Sequence, residues 1–265
     1  MTVTETQIKV LDHGYLQYIE HWGSDERIIE SARMSTAKAF IGWGARCKNC
    51  KRPLGGESNW ISCPNEGCED AGAEPGDEKL LRFLWENKHS TPFEMAGLTI
   101  EVKAPILVFR EWHRHRVPFG YNEMSARYVP LPNENYSPSV ERIISGAVNA
   151  GKNKQAQGVV DLIPTEGDCL EWLASLADVY DHAERVYQHG LRIGVTKELA
   201  RCPVPVARYS AMRATSNLRG WLAFLTLRTA PGAQWEIRQY AGVVADVLSE
   251  RFPRTLALWG EGRGA

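Results

Sequence analysis

The sequence predicts a fold that combines β-strands with α-helices and carries one irregular, cysteine-rich module. In 98–103 (LTIEVK), apolar and polar residues alternate, which is typical of a half-buried strand. In 169–189 and 233–252, apolar residues recur at helical spacing instead. The segment 41–76 shows neither period and is rich in Gly, Cys and Pro, so we expect a self-contained loop module there.

The N-terminal part is predicted to contain two strands followed by two helices. Residues 6–11 and 15–19 are short strand-like segments on either side of an Asp-His-Gly turn. Helices are expected over 25–35 and 77–89, where apolar residues share one face. The second helix would begin at Asp77, because aspartate is a common N-cap residue.

The C-terminal part is predicted to be mainly helical. Pro105 can occupy the first position of a helix over 106–116, which then runs into a loop with Pro118 and Gly120. The remaining predicted elements are a long helix over 169–189 capped by Asp168, a short helix from Thr196 to Pro203, a strand over 207–215, and helices over 217–228 and 233–252.

Composition and charge exclude several classes of protein. Lys plus Arg is 31 and Asp plus Glu is 32, a formal net charge of −1, whereas a general nucleic-acid or membrane-surface binder is usually basic. No apolar run is long enough to span a bilayer, and the N-terminus lacks the layout of a secretory signal. We expect a cytosolic protein, in which six cysteines indicate metal binding or free thiols more than disulfides. No P-loop or dinucleotide-binding glycine motif is present in the sequence.

Positive charge is concentrated in 110–128, REWHRHRVPFGYNEMSARY, together with two carboxylates. On a helix Arg110 and Arg114 share a face, and arginine binds phosphate through paired hydrogen bonds. His115 lies between two arginines, which disfavours its protonated form. The stretch predicts a site for a small anionic ligand. The alternative is a solvated helix end with salt bridges.

Three residues near the C-terminus have two interpretations each. Arg201 and Arg228 end predicted helices, where arginine commonly complements the helix dipole, and spacing alone does not show that they converge on the basic stretch. Cys202 adjoins the Arg201 cation, so one interpretation is a nucleophile that attacks a pyrimidine ring. The simpler interpretation is an inert, buried cysteine beside Pro203.

Four cysteines form the pattern C-x2-C-x12-C-x4-C: Cys47, Cys50, Cys63 and Cys68. Four thiolates in two short-spaced pairs suit a tetrahedral structural zinc ion. The surrounding module has too few apolar residues to fold on its own, which also favours a metal. We therefore predict zinc, and the alternative is four free thiols in an unstructured loop.

The segment RHRVPFGYNEMSARY resembles the signature of the flavin-dependent thymidylate synthases, an Arg-His-Arg followed by Asn-Glu-x-Ser-x-Arg-Tyr. Other segments are similar to family segments and follow the family's order: SARMS, HSTPFEMAGLTIEVKAPILVFREW, SPSVER, NKQ, ELAR and LTLRTAPGAQWEIRQYA. Together they cover most of the chain outside 41–76. The chain is therefore identified as a member of this family.

The resemblance implies a fold, a reaction and an assembly. The fold would be α+β with a mixed sheet, in a single domain over 1–265 into which 41–76 is inserted as a zinc-ribbon-like module. The reaction would be the reductive methylation of dUMP to dTMP, with methylenetetrahydrofolate as the carbon donor, FAD as the flavin and NADPH as the reductant. The enzyme would be a homotetramer with active sites between subunits, and neither a membrane nor a nucleic acid is expected as a partner.

The resemblance also implies roles for individual residues. Arg228 would face the uracil ring and stabilise the negative charge that develops on it. FAD would be bound by Ser35, His89, Thr91, Arg114, His115, Arg116, Glu123 and Asn217. The nucleotide dUMP would be bound by Glu111, Arg114, Glu123, Ser125, Arg127, Arg201 and Arg228, with Arg127 reaching across from a neighbouring subunit. The family needs no enzyme nucleophile, so Cys202 would be a bystander.

Departures from the family pattern leave two rival functions open. The loop from Arg116 to Ser125 is one residue longer than the usual family spacing, and Pro118, Phe119 and Gly120 stand where a serine is expected. This favours a paralogue that methylates or hydroxymethylates another pyrimidine nucleotide such as dCMP. The module at 41–76 has no counterpart in the family pattern, so the second rival is a zinc-dependent nucleic-acid binder on an inactive scaffold.

Three roles are open for the module itself: a stabilising clip, a subunit contact, or a nucleic-acid contact through Arg46, Lys48, Lys51 and Arg52. We favour the clip, because a metal ion would close a loop that has no core of its own.

Overall fold

A computed structural model of the chain describes residues 7–54, 63, 65, 67–68, 72–150 and 162–262. Strands and helices both occur, as predicted, and the fold is α+β. The strands are β1 (Ile8–Val10), β2 (Gly14–Trp22), β3 (Arg46–Cys47), β4 (Ala73–Glu74), β5 (Gly97–Pro105), β6 (Gly120–Glu123) and β7 (Tyr209–Asn217). The helices are α1 (Asp25–Arg33), α2 (Glu78–Glu86), α3 (Ile106–Trp112), α4 (Val140–Ala150), α5 (Glu166–Arg192), α6 (Lys197–Ala200), α7 (Leu218–Arg228), α8 (Trp235–Arg251) and α9 (Pro253–Glu261).

The main sheet has five strands in the order β1-β2-β5-β7-β6. β1 and β2 form the antiparallel hairpin that the sequence predicted around the Asp-His-Gly turn. At the other edge β6 pairs antiparallel with β7, with Tyr121 opposite Ala214 and Glu123 opposite Met212. The predicted alternation of β5 is confirmed, since Leu98, Ile100 and Val102 are fully buried. β3 and β4 form a separate two-stranded sheet within the cysteine-rich module.

The chain divides into two compact units. The first comprises the described residues of Met1–Glu20, Thr99–Ser216 and Ala223–Asp246. Its core includes the stacked pair Trp112 and Phe224, whose ring centroids are 4.9 Å apart. Aromatic residues are among the largest fully buried side chains of this core, and each buries a large apolar area.

The second unit comprises the described residues of His21–Leu98, Asn217–Leu222 and Val247–Ala265. Ile28 and Ile29 of α1 are fully buried, which confirms the predicted apolar face of this helix. Trp221 is buried and donates its indole N–H to the Leu98 carbonyl at 2.9 Å, so its single polar group is satisfied. Among the helices of the described residues, none is both long enough and apolar enough to cross a membrane.

Two predicted helix caps differ from the structure. The N-cap residue of α5 is Thr165 and not Asp168: the Thr165 hydroxyl accepts the Asp168 backbone N–H, and the Asp168 carboxylate accepts the Thr165 N–H. This is a capping box, in which both residues satisfy helix-end donors. Asp77 lies at the N-cap of α2 but makes no capping hydrogen bond. Its carboxylate accepts instead from Arg33 and from the backbone N–H groups of Ile41 and Gly42.

The basic stretch is less helical than predicted. α3 ends at Trp112 and not at Arg116, so Arg114 lies beyond the helix and does not share a helical face with Arg110. The sequence predicted a loop around Gly120, but strand β6 begins at that residue. The prediction failed here because pairing with β7 supplies backbone hydrogen bonds that no local pattern reveals. The helices α4 and α9 were not predicted.

Candidate active site

Arg228, the last residue of α7, donates hydrogen bonds through all three of its guanidinium nitrogens. Nη1 donates to Oε2 of Glu111 at 2.6 Å, and Nη2 donates to the Glu111 carbonyl at 2.9 Å. Nε donates to Nε2 of His115 at 2.9 Å. The guanidinium is therefore a largely buried cation with a fixed orientation, held by residues at the end of α3 and just beyond it.

His115 is neutral in this arrangement. Burial, and to a smaller extent the Arg228 cation, lower its pKa from 6.5 to about 4. Because Nε2 accepts from Arg228, the ring proton of the neutral form lies on Nδ1. The predicted direction of the pKa shift agrees with the structure, but the predicted cause is wrong: burial and the Arg228 cation disfavour the protonated form, and not Arg114 or Arg116.

Aromatic residues surround His115. Its ring contacts Phe224 edge-on, with centroids 5.0 Å apart, and Phe119 lies 6.0 Å away. Tyr121 stacks on Phe119 and donates its hydroxyl to the His115 carbonyl at 2.7 Å. Burial raises the pKa of Tyr121, so it remains a hydrogen-bond donor at any working pH. The sequence analysis did not single out Tyr121, because its role depends on the pairing of β6 with β7.

Several predicted ligand-binding cations are exposed. Arg114, Arg116 and Arg201 are exposed, and the described part of the chain offers none of them an ion-pair partner. Arg127 is exposed too, and its Nε lies 3.5 Å from Oε2 of Glu198. Ser125, which accepts the Arg127 backbone N–H, is half-buried. These cations are therefore available to an anionic ligand. Glu123 is exposed near the end of β6.

The remaining predicted cofactor residues lie in the second unit. Ser35 is exposed in a 3₁₀ turn, Met34–Thr36, and donates to the Ala32 carbonyl at 3.1 Å. His89 and Thr91 are exposed, and Thr91 begins the 3₁₀ helix Thr91–Met95. Asn217 accepts the Gly220 backbone N–H through its side-chain oxygen at 2.9 Å, as an N-cap residue does. Asn217 thus has a structural role at the start of α7 besides any contact with a ligand.

The four predicted metal-ligating cysteines lie together. Their sulfur atoms are all within 4.8 Å of one another. Cys47 and Cys68 have Sγ atoms 3.7 Å apart, and those of Cys50 and Cys63 are 3.5 Å apart. Zn–S bonds of about 2.3 Å in a tetrahedron place the sulfurs roughly 3.8 Å apart. The sulfur positions therefore fit a tetrahedral zinc ion, and the distances are far too long for disulfides.

The thiols of the cluster differ in pKa. The Arg52 backbone N–H, together with the neighbouring cysteines, lowers the pKa of the Cys50 thiol to about 7, whereas burial and the neighbouring cysteines raise the pKa of Cys68 to about 12. Several thiolates so close together repel one another, so full deprotonation needs a bound cation. Cys202 is exposed and not buried, so the buried interpretation from the sequence is wrong.

The fold and the Arg228 cluster define an α+β protein with an oriented cation beside a neutral histidine and several exposed arginines. A family profile described as "Thymidylate synthase complementing protein" matches residues 17–254. The flavin-dependent thymidylate synthase of Thermus thermophilus is 35% identical over 256 residues, which cover 96% of this chain and 78% of the relative. That of Thermosipho melanesiensis is 33% identical over 250 residues, covering 94% of this chain and 91% of the relative.

A solved structure is similar as well. The crystal structure of the UMP/dUMP methylase PolB from Streptomyces cacaoi, bound to 5-bromo-dUMP, superposes with a TM-score of 0.71 and 26% identity. The match covers 96% of this chain and 97% of PolB. The chain therefore belongs to the flavin-dependent thymidylate synthase family, a family of methyltransferase enzymes. The identification made from the signature segments is confirmed.

Proposed function

We propose that this chain methylates dUMP reductively to dTMP, with methylenetetrahydrofolate, FAD and NADPH. The observation that carries the proposal is the Arg228 guanidinium, fixed by Glu111 and His115 in a largely buried position. Transfer of carbon or hydride to a pyrimidine ring develops negative charge on that ring. A cation that is already oriented stabilises such charge without reorganising during the reaction.

The neutral state of His115 supports this role for Arg228. A protonated imidazole could not accept from Nε of Arg228, and its charge would repel the guanidinium. Because the pKa of His115 lies near 4, the contact is kept at neutral pH. Glu111 fixes the other side of the guanidinium, so the two residues orient Arg228 for the uracil ring.

The remaining cations fit phosphate-bearing ligands. Arg114 and Arg116 are exposed and have no acidic partner among the described residues, which leaves both guanidinium groups available to bind phosphate in a bidentate way. When bound, FAD supplies the redox chemistry and carries the transferred carbon. We propose that FAD is held by Ser35, His89, Thr91, Arg114, His115, Arg116, Glu123 and Asn217. We propose that dUMP is held by Glu111, Arg114, Glu123, Ser125, Arg127, Arg201 and Arg228.

We further propose a homotetramer in which Arg127 serves the dUMP site of a neighbouring subunit. The Arg127 side chain is 57% exposed and pairs only loosely with Glu198, so it is available for such a contact. We also propose that the enzyme acts in the cytoplasm. All six cysteines, each within the described residues, are free thiols, which fits a reducing compartment.

The test is anaerobic turnover of the purified enzyme with methylenetetrahydrofolate and NADPH. We expect a flavin spectrum that bleaches and a product one methyl group heavier than dUMP. UMP and dCMP are assayed in parallel, because PolB is described as acting on both UMP and dUMP and because the loop at 117–120 is unusual. If flavin is bound and dUMP is unchanged while UMP or dCMP is methylated, the methylated nucleotide is the substrate in place of dUMP.

We propose zinc as the metal of the cysteine cluster, in a module over 41–76 that is inserted into a single domain spanning 1–265. The sulfur distances and the two short-spaced pairs support this proposal. Elemental analysis should find one zinc ion per chain in the purified enzyme. Cys50→Ser should lose the metal and Cys202→Ser, outside the cluster, should retain it. A fully folded, metal-free wild-type protein purified without chelators would contradict the proposal.

A further inference from the structure

Phe119 belongs to the loop that departs from the family pattern, and its side chain contacts His115. Its ring centroid lies 6.0 Å from that of His115 and 6.2 Å from that of Phe224. His115 and Phe224 are themselves 5.0 Å apart, so the three rings form a triangle in which each contacts the other two. Aromatic rings at centroid distances of about 4.5–7 Å attract one another beyond the area that they bury. The His115 imidazole is therefore packed against two phenylalanine rings.

Tyr121 supports Phe119 in this position. The rings of Phe119 and Tyr121 stack almost in parallel, with centroids 5.6 Å apart and planes inclined by 7°. The Tyr121 hydroxyl donates to the carbonyls of His115 at 2.7 Å and of Trp112 at 3.1 Å, which fixes the far end of its ring. The backbone of Tyr121 is fixed as well, because it pairs with Ala214 of β7. Phe119 thus packs on a surface that is anchored at both ends.

The two phenylalanines cover His115 in different surroundings. Phe224 is fully buried in the core of the first unit, whereas Phe119 is only half-buried. Phe119 is therefore the ring whose removal would let water reach the imidazole. Water stabilises the protonated form of an imidazole, and the exclusion of water favours the neutral form. A serine, which the family resemblance predicts for this loop, would be too small and too polar to exclude water in the same way.

The charged groups around His115 leave burial as the deciding influence on its protonation. Arg228 from α7 disfavours the protonated form and Glu111 from α3 favours it, but burial has a larger effect than either. Tyr121 from β6 is uncharged, because burial raises its pKa. His113, the C-cap residue of α3, contacts the Tyr121 ring at 5.0 Å. The two arginines adjacent to His115 in the chain are exposed. Residues that exclude water from His115 therefore determine its charge.

We propose that Phe119, supported by Tyr121, is a positioning residue for Arg228. It keeps water from the His115 imidazole, so Nε2 of His115 remains an acceptor for Nε of Arg228, 2.9 Å away. A protonated imidazole donates from both nitrogens and would release the guanidinium from this side. The inference rests on the proposed role of Arg228 in the reaction. Phe119 itself acts through His115, and its replacement of the expected serine extends the range of pH over which Arg228 stays oriented.

The first test is the pH dependence of kcat in Phe119→Ser, expressed relative to the wild type. In the variant the pKa of the hydrated His115 should return towards 6.5. The relative kcat with dUMP should then be about 10-fold lower at about pH 5.5 than at about pH 8, because one unit below the pKa roughly a tenth of the imidazole remains neutral. Phe119→Leu, which keeps an apolar side chain at this position, should show the pH dependence of the wild type.

A second readout needs no substrate. NMR spectra of the enzyme with ring-labelled histidines follow the protonation of His115, whose signal is assigned by its absence in His115→Gln. In the wild type this signal should titrate with a pKa of about 4, and in Phe119→Ser its midpoint should move up towards 6.5. If the wild type methylated no pyrimidine nucleotide, the proposed function would fail, whereas this titration would still decide whether Phe119 controls the protonation of His115.

Three further variants separate this role from a general loss of stability. Tyr121→Ala removes the ring behind Phe119 and should become acid-sensitive like Phe119→Ser, whereas Tyr121→Phe keeps the stacked ring and should not. The matched control is Val117→Ser in the same loop, because Val117 is 93% exposed and its loss hydrates nothing. Circular dichroism checks that each variant is folded. A loss of kcat in Phe119→Ser that is equal at every pH, an unchanged His115 titration, or equal acid sensitivity in Val117→Ser would each overturn the proposal.

Discussion

Arg228 is the residue whose contacts say most about the chemistry. We expect Arg228→Ala to lower kcat about 100- to 1000-fold, the typical loss when one preorganised charge-stabilising group is removed. Arg228→Lys keeps a charge but lacks the rigid planar fork through which the guanidinium is oriented by Glu111 and His115, so it should recover only part of the activity. Steady-state kinetics with dUMP and the measured product mass provide the readout.

The matched control for Arg228 is Arg82→Ala. Arg82 also pairs with a carboxylate, that of Glu261, but on an exposed surface. The Arg82→Ala variant should retain nearly full activity. If Arg228→Ala turned over at the rate of Arg82→Ala while binding flavin normally, the cation at this position would have no part in the reaction.

His115 makes a second prediction at this scale, on pH. Its pKa of about 4 in the folded state lies below the value of 6.5 for an unperturbed imidazole. Between these values the unfolded chain binds more protons, so the free energy of unfolding falls as the pH decreases from 6.5 towards 4. In His115→Gln this contribution is absent, and the decline over that window should be shallower than in the wild type. Chemical unfolding at a series of pH values measures how the free energy of unfolding of each protein depends on pH. Identical slopes would show that His115 titrates normally.

At the scale of elements, the link between α1 and the start of α2 is the clearest case. The Asp77 carboxylate is fully buried and pairs with Arg33, whose Nε lies 3.0 Å away. Arg33→Ala leaves a buried charge without its counterion, which costs about 3–5 kcal/mol of unfolding free energy. Arg27→Ala removes the exposed pair with Glu30 and should cost less than about 1 kcal/mol. Urea unfolding compares the two variants, and equal midpoints would contradict the prediction.

The elements also show which information the sequence contains. The alternation in β5 and the helical spacing of α5 and α8 predicted these elements, because burial of one face leaves a periodic trace. The pairing of β6 with β7 left no such trace, since it depends on residues about 90 positions apart in the chain. Asp77 was predicted as a cap because its residue type fits that role. Its actual partners are the Arg33 side chain and the backbone N–H groups of Ile41 and Gly42, all distant from it in the chain.

In the candidate active site, too, some features were predictable from the sequence and others were not. Glu111, His115 and Arg228 were proposed from the family signature, and the structure brings these three together. Spacing alone did not predict this, because Arg228 follows Glu111 by more than a hundred residues. The four cysteines were predictable from their spacing, since short-spaced pairs bring thiols together whatever the surrounding fold.

At the scale of the whole molecule, charge bears on the rival function. The chain has a formal net charge of −1, and within the cysteine module Lys51 is paired with Glu74 at 3.0 Å. Lys48 and Arg52 are exposed, but they are few compared with the phosphate contacts of a nucleic-acid binder. The molecule as a whole therefore resembles a small-molecule enzyme more than a protein that binds a polyanion.

We therefore expect no salt-dependent affinity for nucleic acid. A protein that contacts 6–10 phosphates loses roughly 1000- to 100,000-fold in affinity between 50 and 200 mM salt. Fluorescence anisotropy with labelled DNA and RNA should show no such dependence here. Lys48→Ala/Arg52→Ala should keep the turnover of the wild type, as should the control Lys9→Ala/Lys79→Ala at exposed positions outside the module. Tight binding at low salt that weakens steeply with salt, and that only the first double variant abolishes, would mean that the module serves nucleic acid. In that case the Arg228 site would still have to be tested separately, because turnover and nucleic-acid binding depend on different residues.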